Sequence, residues 1–214
     1  MIFTDFNDLL AQYGLSQEFS LAVSDEVNNI PDLIPEEELK RRKDLSDLTV
    51  VTIDGEDAKD LDDAISISRL KNGHYMLGVH IADVSYYVRE NTELDLEAFN
   101  RGTSVYLVDK VVPMLPKKLS NGLCSLNPHK PRLTLSCFME IDGNGGVLNY
   151  EISETFIKSM ARMTYTAVTE VLDGDMAARE GYSSLVPTFE LMRELALRSE
   201  ERRVGKECRS RWAP

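Results

Sequence analysis

TVVTIDGEDAKDLDDAISIS, residues 49–68, decides how this chain folds. Thr49–Ile53 is a short β-branched run and Ala64–Ser68 alternates with period two, so both ends read as strands. Between them six acids (Asp54, Glu56, Asp57, Asp60, Asp62 and Asp63) stand against Lys59 alone. A strand–loop–strand of this kind gathers its carboxylates at one end of a sheet. Carboxylates a few ångströms apart repel, and some are forced to protonate unless a cation intervenes. With only oxygen ligands and no Cys or His pair nearby, the chemistry selects Mg²⁺, Mn²⁺ or Ca²⁺ over zinc. The alternative for any acid run is a solvated loop. Two features weigh against it: the flanking strands are apolar, and Asp, a poor strand former, stands at the strand edges Asp54 and Asp63. A calcium-binding helix–loop–helix loop needs acids at alternate positions and glycine at the sixth; counted from Asp54, the fifth is Ala58 and the sixth Lys59, so that pattern fails.

Outward from this core, Lys71-Asn72-Gly73 predicts a hairpin turn and Tyr75–Ile81 the returning strand. Thr92 through Arg101 predicts a helix capped by Thr92 and closed by Gly102. Ser104–Val108 and Leu133–Ile141 read as strands, the latter with Leu133, Leu135, Cys137, Met139 and Ile141 alternating on one face. The turn Asp142–Gly146 leads into a strand over Val147–Lys158, and Thr164–Leu172 and Pro187–Arg198 read as helices. Ahead of all this, residues 1–47 form an acidic lead-in with helical patterns at Asn7–Tyr13, ended by Gly14, and at Glu36–Arg42 after Pro35. The expected fold is mixed α/β (α+β): a curved mixed or antiparallel sheet with flanking helices.

The chain's 214 residues carry a net charge of −12, which argues against nucleic-acid binding through a broad basic face but not through cations bridging carboxylates to phosphates. Cys124, Cys137 and Cys208 are an odd count without C-x-x-C spacing, so neither a disulfide framework nor a cysteine zinc site is expected, and a reducing cytoplasm fits. His74, His80 and His129 do not cluster. No apolar run is long enough for a membrane helix, and the acidic start MIFTDFNDLL is unlike a signal peptide.

Read together, IDGEDAKDLDDAI (53–65), GVHIADVS (78–85), RGTSVY (101–106), VPMLP (112–116), LSNGLCSLNP (119–128) and RMTY (162–165) resemble, in order and spacing, the ribonuclease II/ribonuclease R family, whose core is the RNB domain, and more closely its bacterial ribonuclease R branch. The resemblance covers residues 5–198. It implies that Asp54, Asp60, Asp62 and Asp63 hold Mg²⁺, with Mn²⁺ as the alternative ion, and are the catalytic aspartates. The implied reaction is metal-assisted 3′→5′ hydrolysis of single-stranded RNA, releasing nucleoside 5′-monophosphates. It places Tyr106 near the RNA 3′ end, where an aromatic ring stacks without reading sequence; packing in the core is the alternative for that residue. Arg132 matches a family arginine and is a phosphate contact or a structural salt bridge. His80 is supporting architecture. No protein partner and no membrane are implied.

By the same resemblance, residues 48–198 are the N-terminal portion of an RNB catalytic domain, and the family's cold-shock and S1 domains have no counterpart here. Residues 199–214 break in composition, hold the only tryptophan, and resemble a translated sequencing adapter. The expectation is therefore a truncated domain with a non-native tail. The alternative function is a non-catalytic fragment that binds Mg²⁺, and RNA weakly, without turnover.

Overall fold

The computed structural model describes residues 6–107 and 110–210. The start of the lead-in, Val108 of the expected strand Ser104–Val108, and the tail residues from Arg211, Trp212 among them, lie outside the described residues.

Among the described residues, nine strands and seven α-helices follow in order. The lead-in gives α1 (Phe6–Tyr13), α2 (Leu21–Asn29) and α3 (Glu36–Arg41). Gly14 ends α1 at φ +63, a conformation glycine adopts without strain. The sequence pattern did not show α2. It is capped by Ser20, whose hydroxyl accepts from the Val23 N–H, and it buries only Val23 and Val27. Then come β1 (Lys43–Leu45), β2 (Val51–Asp54), β3 (Asp63–Arg69) and β4 (Tyr75–Ala82). A 3-10 turn at Val84–Tyr86 leads to α4 (Glu93–Arg101), capped by Thr92 and closed by Gly102 as its sequence predicts. The short hairpin β5 (Val105–Tyr106) and β6 (Val111–Val112) is followed by a π-helical turn, Lys118–Leu123. Next are β7 (Pro131–Ile141), β8 (Val147–Lys158), β9 (Ala161–Thr164), α5 (Tyr165–Asp173), α6 (Met176–Gly181) and α7 (Val186–Ser210). The last helix runs beyond the Pro187–Arg198 pattern.

The sheet is curved and mixed, in the order β1-β8-β7-β4-β3-β2-β9. Its edge strands β1 and β9 pair parallel with β8 and β2, and the rest is antiparallel. The main core joins the sheet to α2, α4 and the π-helical turn through Val23, Leu61, Leu94, Leu119, Leu126 and Ile157. A second cluster under α5–α7 centres on Val51, Met163, Val171 and Phe189.

On β7 the burial differs from the simple alternation. Leu135 is 40% exposed, while Thr134 and Ser136 on the opposite face are fully buried. The apolar face runs out past the cover of α7, where Ile81, Tyr150 and Ile152 are exposed too. The opposite face packs instead on a buried polar layer. There His80 Nδ1 lies 2.7 Å from Ser136 Oγ and its Nε2 2.9 Å from Ser66 Oγ. Ser136 and Thr134 each lie 2.6 Å from Thr155 Oγ1. Gly78 leaves room for this layer: a Cβ there would sit 2.3 Å from Ser66 Oγ and 2.9 Å from His80 Nε2. Gly78→Ala should therefore cost about 1–3 kcal/mol through overpacking and a broken Ser66–His80 contact, measured by urea unfolding; an unchanged midpoint would contradict this packing.

Candidate active site

The acid loop is fixed by its backbone. The Leu61 side chain is buried in the main core, 1% exposed, and acts as the anchor. The Leu61 N–H donates to Ser125 Oγ at 3.1 Å, the Ser125 hydroxyl donates to the Lys59 carbonyl at 3.0 Å, and the Leu126 N–H donates to the Leu61 carbonyl at 2.8 Å. The Ala82 N–H holds the Asp62 carbonyl at 2.9 Å. From the other side, the Arg162 guanidinium on β9 donates to the Gly55 and Glu56 carbonyls, and the Thr166 hydroxyl donates to the Glu56 carboxylate.

Asp54 closes β2 and Asp63 opens β3, and the loop carries Asp60 and Asp62 between them. The four aspartates share one electrostatic field. The Asp54 carboxyl is pushed above the usual carboxylate range by burial, then by Asp63 and Asp60, against the pull of Arg162. Its Oδ2 is buried and, among the described residues, has no hydrogen-bond partner. Asp62 is pushed the same way, by desolvation and by Asp60, Asp63 and Asp54. Because Asp62 as a residue is exposed, the crowding of three like charges is the cause that persists in water. The side chains do not close on one point: among the described residues, no three His, Cys, Asp or Glu side chains form a ready-made metal cage. The donor set nonetheless fits a hard divalent cation. It is all oxygen, it has a buried oxygen lacking a partner, and its charges repel; Mg²⁺ in particular keeps several waters and needs only one or two carboxylates.

Tyr106 meets this cluster, its hydroxyl donating to Asp60 Oδ2 at 2.6 Å. That bond, followed by burial, raises the phenol to about 12. The ring is 64% exposed, so Tyr106 is not a core residue. Arg132 stands behind the loop. Its Nε donates to the Ser125 carbonyl at 2.8 Å and its Nη1 to the Pro131 carbonyl at 3.0 Å. It thus braces the segment that braces Lys59 and Leu61, and among the described residues it makes no salt bridge. His80 is fully buried in the polar layer, as supporting architecture.

Beside the acids lies an open cleft of about 920 Å³, lined among others by Lys59, Asp60, Tyr106, Lys110, Lys117 and Arg162. Sequence reasoning did not select these cations. They are scattered over a hundred residues of an acidic chain, and the one available signal was that Arg162 opens the RMTY motif.

The sequence profile described as RNB domain matches residues 42–210. The chain belongs to the RNB domain family. It is 52% identical over 191 residues to "Ribonuclease R 1" of Lactococcus lactis subsp. lactis (strain IL1403), covering 89% of this chain and 23% of that protein. Two solved structures of Mycoplasma genitalium RNase R share the architecture at 32% identity over 92% of this chain. One, in complex with double-stranded RNA, gives a TM-score of 0.84 with 35% of its own chain covered. The other, in complex with ribose methylated single-stranded RNA, gives 0.83 with 30% covered. This RNB chain therefore spans about a quarter of the length of the curated relatives it matches.

Proposed function

We propose that this chain carries the aspartate half of a 3′→5′ hydrolytic exoribonuclease site that acts on single-stranded RNA and releases nucleoside 5′-monophosphates. The observation that carries the reading is the electrostatic coupling of Asp54, Asp60, Asp62 and Asp63, with Asp60 bonded to Tyr106 and lining a cleft shared with Lys59, Lys110, Lys117 and Arg162. The RNA-bound structures of a related RNase R support RNA as the ligand class. In this reading Asp54, Asp60, Asp62 and Asp63 hold Mg²⁺, or Mn²⁺ in its place. An ion held there would supply positive charge at the scissile phosphate and lower the pKa of the attacking water. The chain's own residues do the rest. The cleft cations attract the phosphate backbone, and the exposed Tyr106 ring offers a stacking surface for the last base or ribose. Arg162 holds the acid loop on β9. Arg132 acts by bracing Ser125, since among the described residues both of its hydrogen bonds go to backbone carbonyls. The reading includes a cytoplasmic setting, consistent with Cys124 and Cys137 as free thiols. No helix among the described residues is long and apolar enough to cross a membrane.

A second reading, cation binding without turnover, is favoured by the carboxylate cluster taken by itself, whose charge crowding calls for a cation whether or not RNA is cleaved. Calorimetric titration with Mg²⁺ should give a saturable heat that Asp62→Asn with Asp63→Asn removes; a heat the double variant leaves unchanged rules out the cation site. Incubation with end-labelled single-stranded RNA and Mg²⁺ then separates the readings. Progressive release of mononucleotides supports the exonuclease, and intact RNA supports binding alone.

A further inference from the structure

We propose that the Tyr106 hydroxyl is a positioning group for the cation site, holding the Asp60 carboxylate within the aspartate cluster before an ion arrives. This rests on the reading of the cluster as a cation site and adds to it a residue that does not itself ligate. Three observations carry it. First, Asp60 lies in a loop without regular structure whose backbone is pinned at Lys59, Leu61 and Asp62. Among the described residues, however, the Asp60 side chain has a single hydrogen bond, the 2.6 Å bond from Tyr106. Second, Asp60 adds to the charge crowding at both Asp54 and Asp62, so an unrestrained Asp60 side chain is driven outward, away from the cluster. A hydroxyl-to-carboxylate bond of this length is of the strong, charge-assisted kind and opposes that drive. Third, the Tyr106 ring is mostly exposed, so core packing does not dictate where its hydroxyl points. Its backbone is set by the β5–β6 hairpin, by the Leu107 N–H on the Lys110 carbonyl at 2.8 Å, and by the Met114 N–H on Ser104 Oγ at 2.9 Å. The hairpin thus reaches across the cleft and fixes an acid on a different loop.

A consequence is that one residue serves two purposes that chemistry can separate: the ring faces RNA and the hydroxyl faces the cation site. Tyr106→Phe keeps the ring and removes only the bond. It should weaken Mg²⁺ binding about tenfold in calorimetric titration, the size expected for a hydrogen bond to a charged group, while the metal-free melting temperature stays unchanged. In an Asp60→Asn background the same substitution should change Mg²⁺ affinity no further, because its effect passes through Asp60. Equal Mg²⁺ affinity for the parent and Tyr106→Phe overturns the proposal, as does an equal loss in the Asp60→Asn background. If Tyr106→Phe also lowers the metal-free melting temperature, the background comparison decides, since a general loss of packing persists there and a loss through Asp60 does not. A parent chain with no saturable Mg²⁺ heat overturns the cation reading itself and this proposal with it. A parent that binds Mg²⁺ and a Tyr106→Phe that binds equally well overturn this proposal alone.

Discussion

Arg42→Met should destabilise the fold by about 3–5 kcal/mol, the largest single effect we expect from a residue outside the aspartate loop. The Arg42 side chain is 1% exposed and its Nη2 lies 2.6 Å from Asp83 Oδ2, itself 3% exposed. Its Nε bonds Glu38 at 2.6 Å, and its Nη1 reaches the Thr134 and Thr155 carbonyls of β7 and β8. One guanidinium therefore ties the lead-in helix α3 to two central strands and to the Asp83 turn. Asp83 also caps the 3-10 turn, accepting from the Ser85 hydroxyl at 2.6 Å and the Tyr86 N–H at 3.2 Å. Methionine fills most of the volume but leaves the Asp83 carboxylate buried without a counter-charge, and that exposed imbalance is the costly part. For a chain of this size the melting temperature should fall by about 10 °C. Adding Asp83→Asn to Arg42→Met should recover part of the loss, a non-additivity that identifies the pair as the cause. A drop below about 1 kcal/mol would mean that the pair contributes no more than a surface bridge.

Stability should also fall by about 3 kcal/mol between pH 6.5 and pH 4 on account of His80 alone. Burial holds the His80 imidazole down at about 4, against 6.5 for an ordinary histidine. On acidification the unfolded chain takes up this proton from pH 6.5 downward, and the folded chain does not until about 4. The contribution is therefore fully present above 6.5 and is lost as pH falls through that window, at about 1.4 kcal/mol for each pH unit. Glu38 acts in the same direction. It is held at about 2 by a hydrogen bond from Arg41, and by Arg42 against the effect of burial, so its contribution fades as pH drops below 4.5. Comparing the parent with His80→Gln cancels that part. Urea midpoints at pH 7 and pH 4.5 should differ clearly less in His80→Gln than in the parent, whatever the variant loses in absolute stability; identical pH slopes would show that His80 is not the proton site.

The aspartate loop was legible because its chemistry is local. Six acids in ten residues between two apolar strands leave little freedom about where the carboxylates go, and Thr92, Gly102 and Thr164 announce their helix ends through caps that need only neighbouring residues. The α2 helix escaped notice because Leu21–Asn29 buries only two valines and draws its stability from packing on α4, a partner some seventy residues on. The edge strands β1 and β9, three and four residues long, likewise exist only because β8 and β2 offer them parallel partners.

Sequence patterning settled the α/β class, the hairpin β3–β4 and the long pair β7–β8, which follow from periodicity and turn chemistry acting within a few residues. The four aspartates and Tyr106 were singled out instead by the resemblance of their motifs to the RNB family. Only the tertiary structure decided that Tyr106 bonds Asp60, that Arg132 faces backbone carbonyls, that Arg162 and three lysines line the cleft, and that Arg42 and His80 hold a buried polar layer. The reason is physical. Apart from Arg132, whose carbonyl partners lie one and seven residues away, each of these pairs groups some 40 to 110 residues apart, or, for the polar layer, buries polar groups that hydropathy alone assigns to the surface, and both are fixed by the register of the curved sheet.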